Sequence, residues 1–235
     1  MAEKTDLRQS RSVQDFLKAV YGLQQVHERV STNALAEGLE VQAPSITDMA
    51  QRLVAAGLVD YERYKGVRLT ASGEALALKI IRRHRLIELY LVEELGYALQ
   101  DVHDEAEHLE HAVSDRFIEA IATKLGDPDF DPHGDPIPAP DGTMTERDLL
   151  AVTVFPLGIL AQVARIAPEG DDMLQHILDK GFHLGARIMI TQREPFEGPI
   201  TLSLDGKSIF IGHQVAACVL VEALEPADAV LPLEG

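Results

Sequence analysis

Two neighbouring segments carry imidazoles and carboxylates at helical spacing. RRHRLIELYL holds His84 and Glu88, and VHDEAEHLEHAV holds His103, Glu107, Glu110 and His111. Residues three or four apart stack on one face of an α-helix, so each set shares a face if both segments are helical. Imidazole and carboxylate without thiol suit Mn(II), Fe(II), Ni(II) or Zn(II). No serine, cysteine or phosphate-loop motif accompanies them, so they read as a metal-sensing constellation before an active site. A lone histidine on an acidic helix is usually solvated; six ligand-type residues on two faces weigh against that. Asp104, Glu105 and His108 sit on other faces of the same segment, and a solvated acidic helix is the alternative.

The chain of 235 residues has room for two or three small domains. Its single Cys218 excludes a disulfide framework and a cysteine-based zinc site. Residues 1–12 hold no apolar signal region, and the longest uncharged run, 149–164, is too short to span a bilayer and contains Pro156 and Gly158. The expectation is a cytoplasmic protein without a membrane partner. The net charge of −17 argues against indiscriminate nucleic-acid binding by the whole chain. That charge is uneven. Residues 1–85 hold 13 Lys+Arg against 10 Asp+Glu, whereas residues 86–235 hold 8 against 28, which implies a division of labour.

Residues 12–28 place Val13, Phe16, Leu17, Val20 and Leu23 on one helical stripe, with Ser12 as N-cap. Thr32 or Asn33 caps a short helix, ALAEGL. A third helix, PSITDMAQRLVAA, opens on Pro44, points Ile46, Met49, Leu53 and Val54 inward, and ends at Gly57. Two strands follow, LVDYERY and VRLT, with a turn at Lys65-Gly66. Helix–turn–helix plus a small hairpin is a winged helix-turn-helix. Its second helix enters the major groove by its first turn, here Gln42, Pro44, Ser45 and Thr47, while Arg63, Lys65 and Arg68 on the wing meet phosphate. The alternative is a structural or protein-binding helical unit.

A long helix is predicted from Thr70 through Glu94, stopped by Gly96. A second runs from about Asp101 to Lys124, with Leu109, Val113, Phe117 and Ile121 on its apolar stripe. Residues 126–142 are rich in Pro, Asp and Gly and form a linker. Five β-like runs then appear at 160–166, 187–192, 199–204, 207–211 and 217–221, interrupted by one helix, MLQHILDKG; Leu204-Asp205-Gly206-Lys207 is a hairpin signal. They suggest a small five-stranded barrel. The fold class is mainly α with α+β parts. The expected domains are a winged helix at 1–72, a helical metal-binding and dimerisation domain at 73–125, a linker at 126–145 and an SH3-like domain at 146–235. A di-metal carboxylate oxidase or metal-storage protein is the competing class, but it needs two Glu-x-x-His motifs, and only Glu105 and His108 supply one.

The winged helix, the segment RRHRL at 82–86 and HDExxxxEH at 103–111 resemble the diphtheria-toxin-repressor family of metal-dependent transcriptional regulators. GDPIP at 134–138 is similar to that family's linker, and LDKGFxLG at 178–185 with GPITL at 198–202 to its SH3-like, FeoA-type domain. The resemblance implies a non-enzymatic regulator that binds a double-stranded DNA operator as a homodimer. It also implies two metal sites: His84, Glu88 and His103 match one, and Asp15, Glu107, Glu110 and His111 the other. Iron-responsive members place Met and Cys where this chain has Asp15 and Glu107, and manganese-responsive members place Asp and Glu there. The resemblance therefore implies Mn(II) as effector, with Fe(II) the alternative, and repression of manganese uptake.

Two departures stand out. Compact manganese regulators have a second acidic ligand one turn after the Asp, where this chain has Lys18. Iron-type members draw a Glu-x-x-Gln pair from the third domain; here Glu169, Asp171 or Asp172 would have to substitute.

Overall fold

Short amphipathic helices and alternating strands gather their apolar faces into two separate cores. The computed structural model describes residues 10–168 and 170–224. The chain divides into two units. One runs through Tyr90 and takes in Asp104–Asp129 and Ile137–Met144; the other comprises Leu91–His103, Phe130–Pro136 and the residues from Thr145 onward.

The first unit opens with three helices, α1 (Arg11–Gln24), α2 (Thr32–Gly38) and α3 (Ala43–Ala55), and a two-stranded wing, β1 (Val59–Glu62) and β2 (Gly66–Leu69). Val13, Phe16, Leu17 and Val20 of α1 meet Leu35 of α2, Ile46, Ala50 and Leu53 of α3, and Val59 and Val67 of the wing. Each such buried side chain stabilises the unit by roughly 1.5–3 kcal/mol. Helix starts fall one or two residues before the expected ones. Ser10 is the N-cap of α1, and the Ser31 hydroxyl caps α2 by accepting from the Ala34 N–H at 3.1 Å. Val54, expected inside, is exposed; the buried stripe of α3 passes through Ala50 instead.

The wing pairs Val59 with Leu69 and Glu62 with Gly66, so its turn is Arg63–Tyr64–Lys65 and Gly66 already belongs to β2. Gly66 has φ +104°, and a Cβ there would lie 2.3 Å from the Val30 carbonyl oxygen. The bridge between Val30 and Val67 therefore requires glycine at this point and sets the turn one residue early.

The helix α4 (Ala71–Leu95) is 25 residues long and runs from the first unit into the second. The expected single helix to Lys124 is broken. A 3₁₀ turn (Leu99–Asp101) leads into α5 (Val102–Leu109), residues 110–114 form turns, and Ser114 caps α6 (Asp115–Lys124) by accepting from the Phe117 N–H. The break resets the helical register. Ile118, Ile121 and Ala122 become the buried face of α6, and Phe117, expected on the inward stripe, is exposed.

The second unit is built on a six-stranded antiparallel sheet in the order β3-β8-β4-β5-β6-β7. Its strands are β3 (Leu150–Ala151), β4 (Leu160–Ile166), β5 (Arg187–Arg193), β6 (Ile200–Leu204), β7 (Lys207–Ile211) and β8 (Val219–Ala223). The sixth strand, β3, is two residues long and pairs with β8. The start of the last expected run is instead the end of a helix, α8 (His213–Cys218). Bulges between Val163 and Arg165 and between Ile190 and Gln192 bend β4 and β5, as a small curved sheet requires. The helix α7 (Asp171–Asp179) packs Leu174 and Ile177 into the core with Ile188, Ile190, Leu202 and Val221. Among the described residues, no helix is long and apolar enough to cross a membrane.

Candidate metal centre

Three pieces of the first unit bring their polar groups to one place: α1 through Asp15, α5 through Glu107, and the turn after α5 through Glu110 and His111. One ligand atom from each of these four lies within 4.8 Å of the others. The Glu110 amide still closes on the Ala106 carbonyl at 2.8 Å, which keeps Glu110 beside Glu107 although the regular helix has ended. Glu110 is fully buried and His111 nearly so, while Asp15 and Glu107 are partly exposed.

The orientation of His111 decides what this arrangement can do. Its Nδ1 donates to the Gln14 Oε1 at 2.7 Å, which leaves the Nε2 lone pair pointing inward. That Nε2 lies 2.9 Å from Asp15 Oδ1, 3.3 Å from Glu110 Oε1 and 4.0 Å from Glu107 Oε2. Yet Nε2 and Asp15 Oδ1 are both buried and neither has a hydrogen-bond partner. Two facing acceptors with two more carboxylates beside them are costly unless a cation lies among them. Burial raises the Asp15 pKa above the usual carboxylate value, and Glu107 adds to the rise. Three carboxylates and one imidazole nitrogen, with no sulfur, fit a hard divalent ion.

His84 and Glu88 occupy one face of α4, with Nε2 2.9 Å from Glu88 Oε1. The His84 Nδ1 lies 2.6 Å from Glu110 Oε2, so Glu110 belongs to both groups. Burial alone would depress the His84 pKa, but the hydrogen bonds to Glu110 and Glu88 outweigh it and raise it to about 9. His103, at the start of α5, clusters with the second unit. Asp171 and Asp172 form the exposed first turn of α7, where their charge suits the helix N-terminus. Glu169 lies outside the described residues.

Models of three domains match successive parts of the chain. They are the iron dependent repressor N-terminal DNA binding domain over residues 9–67, the iron dependent repressor metal binding and dimerisation domain over 70–139, and the FeoA domain over 154–223. The chain is 40% identical to a solved manganese-dependent transcriptional repressor in complex with manganese, with a TM-score of 0.82 over 90% of this chain and 100% of that one. It belongs to the diphtheria-toxin-repressor family of metal-dependent transcriptional repressors. Among curated relatives, the diphtheria toxin repressor of Corynebacterium diphtheriae is 28% identical over 89% of this chain and 96% of its own length. The iron-dependent repressor IdeR of Mycobacterium tuberculosis is 28% identical over 88% and 95%. The apo form of the manganese-activated repressor ScaR is 32% identical with a TM-score of 0.74, covering 89% of this chain and 100% of that one.

The residues expected to contact DNA lie on the same unit, within the segment that matches the DNA binding domain. Gln42 is the N-cap of α3 without a side-chain capping bond, and it is exposed together with Pro44 and Ser45. Thr47 is less exposed, and its hydroxyl donates to the Ala43 carbonyl at 3.2 Å. On the wing, Arg63 stacks over the ring of Tyr64 at 4.9 Å. Lys65 pairs with Glu62 at 2.6 Å, and Arg68 lies 3.8 Å from Asp60. Lys18, which stands where compact manganese regulators have a second acid, lies among the candidate ligands. Gln14, which holds the His111 Nδ1, is not marked by the sequence except in adjoining Asp15.

Proposed function

We propose that this repressor is Mn(II)-dependent, binds an operator in double-stranded DNA as a homodimer, and takes its metal on Asp15, Glu107, Glu110 and His111. The observation that carries the reading is the buried, sulfur-free set in which His111 Nε2 and Asp15 Oδ1 face each other without a hydrogen-bond partner. Held there, Mn(II) would give the His111 Nε2 lone pair and the Asp15 Oδ1 a shared cationic partner. Fe(II), which shares the preference for oxygen and imidazole, is the alternative effector. The 40%-identical relative solved with manganese favours Mn(II), whereas the M. tuberculosis relative is named an iron-dependent repressor. His84, Glu88 and His103 are the second ligand set on their spacing and the family resemblance.

Asp15 lies in the segment that matches the DNA binding domain; Glu107, Glu110 and His111 lie in the segment that matches the metal binding and dimerisation domain. Closing the four side chains therefore ties α1 to the α5 turn. Since α1 shares its core with α3, the tie fixes the reading helix at one placement. An effector shifts such an equilibrium only by its differential affinity, and moving it from 1:99 to 99:1 takes about 5.5 kcal/mol. In the groove, Gln42, Pro44, Ser45 and Thr47 would face base edges, and Arg63, Lys65 and Arg68 phosphate.

The test is selection from a random duplex library by the full-length protein at buffered free Mn(II), Fe(II) or Zn(II). Enrichment of an inverted-repeat sequence with Mn(II), or with Fe(II), is the expected result. Zn(II) can bind more tightly without activating, so DNA binding is the readout, not metal affinity. Enrichment with Zn(II) alone, or without metal, contradicts the assignment.

A further inference from the structure

Lys18 extends into the middle of the proposed ligand set. Its Nζ donates to Glu107 Oε1 at 3.0 Å and to Glu110 Oε2 and Oε1 at 3.1 and 3.2 Å, and it lies 3.1 Å from His84 Nδ1. An ammonium has three N–H donors in a compact charge, and here two carboxylates receive them, from α5 and from the turn after α5. The side chain is largely buried, so these contacts are weakly screened. Glu107 divides its two oxygens, Oε1 towards Lys18 and Oε2 towards His111. Glu110 is shared among Lys18, His84 and His111. The same two carboxylates therefore serve a cation fixed to α1 and the proposed metal position beside Asp15.

We propose that Lys18 is a tethered competitor of the metal: its ammonium neutralises Glu107 and Glu110 and so raises the metal concentration at which the repressor loads. The proposal rests on the assignment of Asp15, Glu107, Glu110 and His111 as ligands. It makes two demands of opposite sign. A cation that stands in for metal stabilises the protein stripped of metal, and it weakens metal binding by competing for the same oxygens and repelling a second positive charge nearby. A residue that merely braces the site would do neither in that combination; its loss would lower both stability and affinity.

The experiment compares wild type with Lys18→Gln and Lys18→Arg. Mn(II) affinity is measured by equilibrium dialysis, and thermal unfolding is followed in chelator. Lys18→Gln should bind Mn(II) about tenfold more tightly and unfold at a lower temperature in chelator. Lys18→Arg, which keeps the charge, should stay within about threefold of wild type. Lys18→Met, which keeps most of the apolar stem, takes the place of Lys18→Gln if the latter does not fold. Unchanged or weaker Mn(II) binding by the neutral variant overturns the proposal while leaving the ligand assignment standing. Wild type that binds no Mn(II) overturns both.

Discussion

The α5 turn and the wing are two charged regions of the first unit, and they handle charge in opposite ways. At the turn, three carboxylates converge, Glu110 is fully buried, and Lys18 and His84 offset the acids only in part. On the wing, Lys65 already pairs with Glu62 and Arg68 with Asp60, and Arg29 from outside the hairpin reaches both acids. The Lys65 and Arg68 pairs are largely exposed, where an ion pair contributes about 0–1 kcal/mol, whereas breaking a buried pair costs roughly 3–5 kcal/mol. The turn therefore holds charges whose partners cannot be removed without leaving the remainder buried and unpaired. The wing holds its cations in reserve, on partners weak enough to exchange for phosphate.

The largest expected effect comes from Glu110. Replacing it with alanine leaves Lys18 and His84 without their buried acceptor, so Glu110→Ala should lose about 3–5 kcal/mol of unfolding free energy in chelator. Denaturant titration measures this, and a loss under 1 kcal/mol would put the turn in the same class as the wing.

Protonation of His84 gives the next effect. Its raised pKa means that its proton stabilises the fold, fully below pH 6.5 and progressively less as pH climbs through about 9. Protein in chelator should therefore lose up to about 3 kcal/mol between pH 6.5 and 9.5. His84→Gln should flatten that dependence. Mn(II) affinity should move the other way and rise with pH, because a protonated imidazole cannot ligate.

On the wing the effects are smaller. Lys65→Ala should weaken selected and random duplexes alike and lower the log–log salt slope by about one. Glu62→Gln should strengthen binding to both, since it frees Lys65 and relieves Arg29. Salt titrations of DNA affinity read both variants, and a Glu62→Gln protein that binds DNA more weakly would show that the acid orders the wing. Gln42→Ala should relax preference at one base pair, by roughly 1–3 kcal/mol if the contact is bidentate.

The same contrast governs what could be read from the sequence. Helices α1 and α3 were legible because their apolar residues recur at helical spacing into one core. The break at residues 110–114 was not, because Leu109, Val113 and Phe117 continue the period across it; the Ser114-Asp115 cap was the local signal against continuity. The strand β3 is too short to show an alternation. The candidate ligands could be picked out as residue types at helical spacing, with Asp15 added by family resemblance. Their electrostatics were not. The approach of Lys18 to Glu107 and Glu110 spans 89 and 92 residues of sequence and exists only once α1 packs beside the turn. The acids that mask the wing were present in the sequence, but their pairing depends on the register of β1 against β2 and on Arg29 from outside the hairpin.

Asp15 is the proposed ligand contributed by the segment that matches the DNA binding domain. The most direct measurement is fluorescence anisotropy of a labelled duplex, selected by the wild-type protein, titrated with wild type and with Asp15→Ala across buffered free Mn(II), with sedimentation to report the oligomer. Wild type should gain affinity steeply with Mn(II), while Asp15→Ala should remain at its metal-free affinity and sediment as wild type does. An Asp15→Ala protein with the wild-type Mn(II) response would contradict the account.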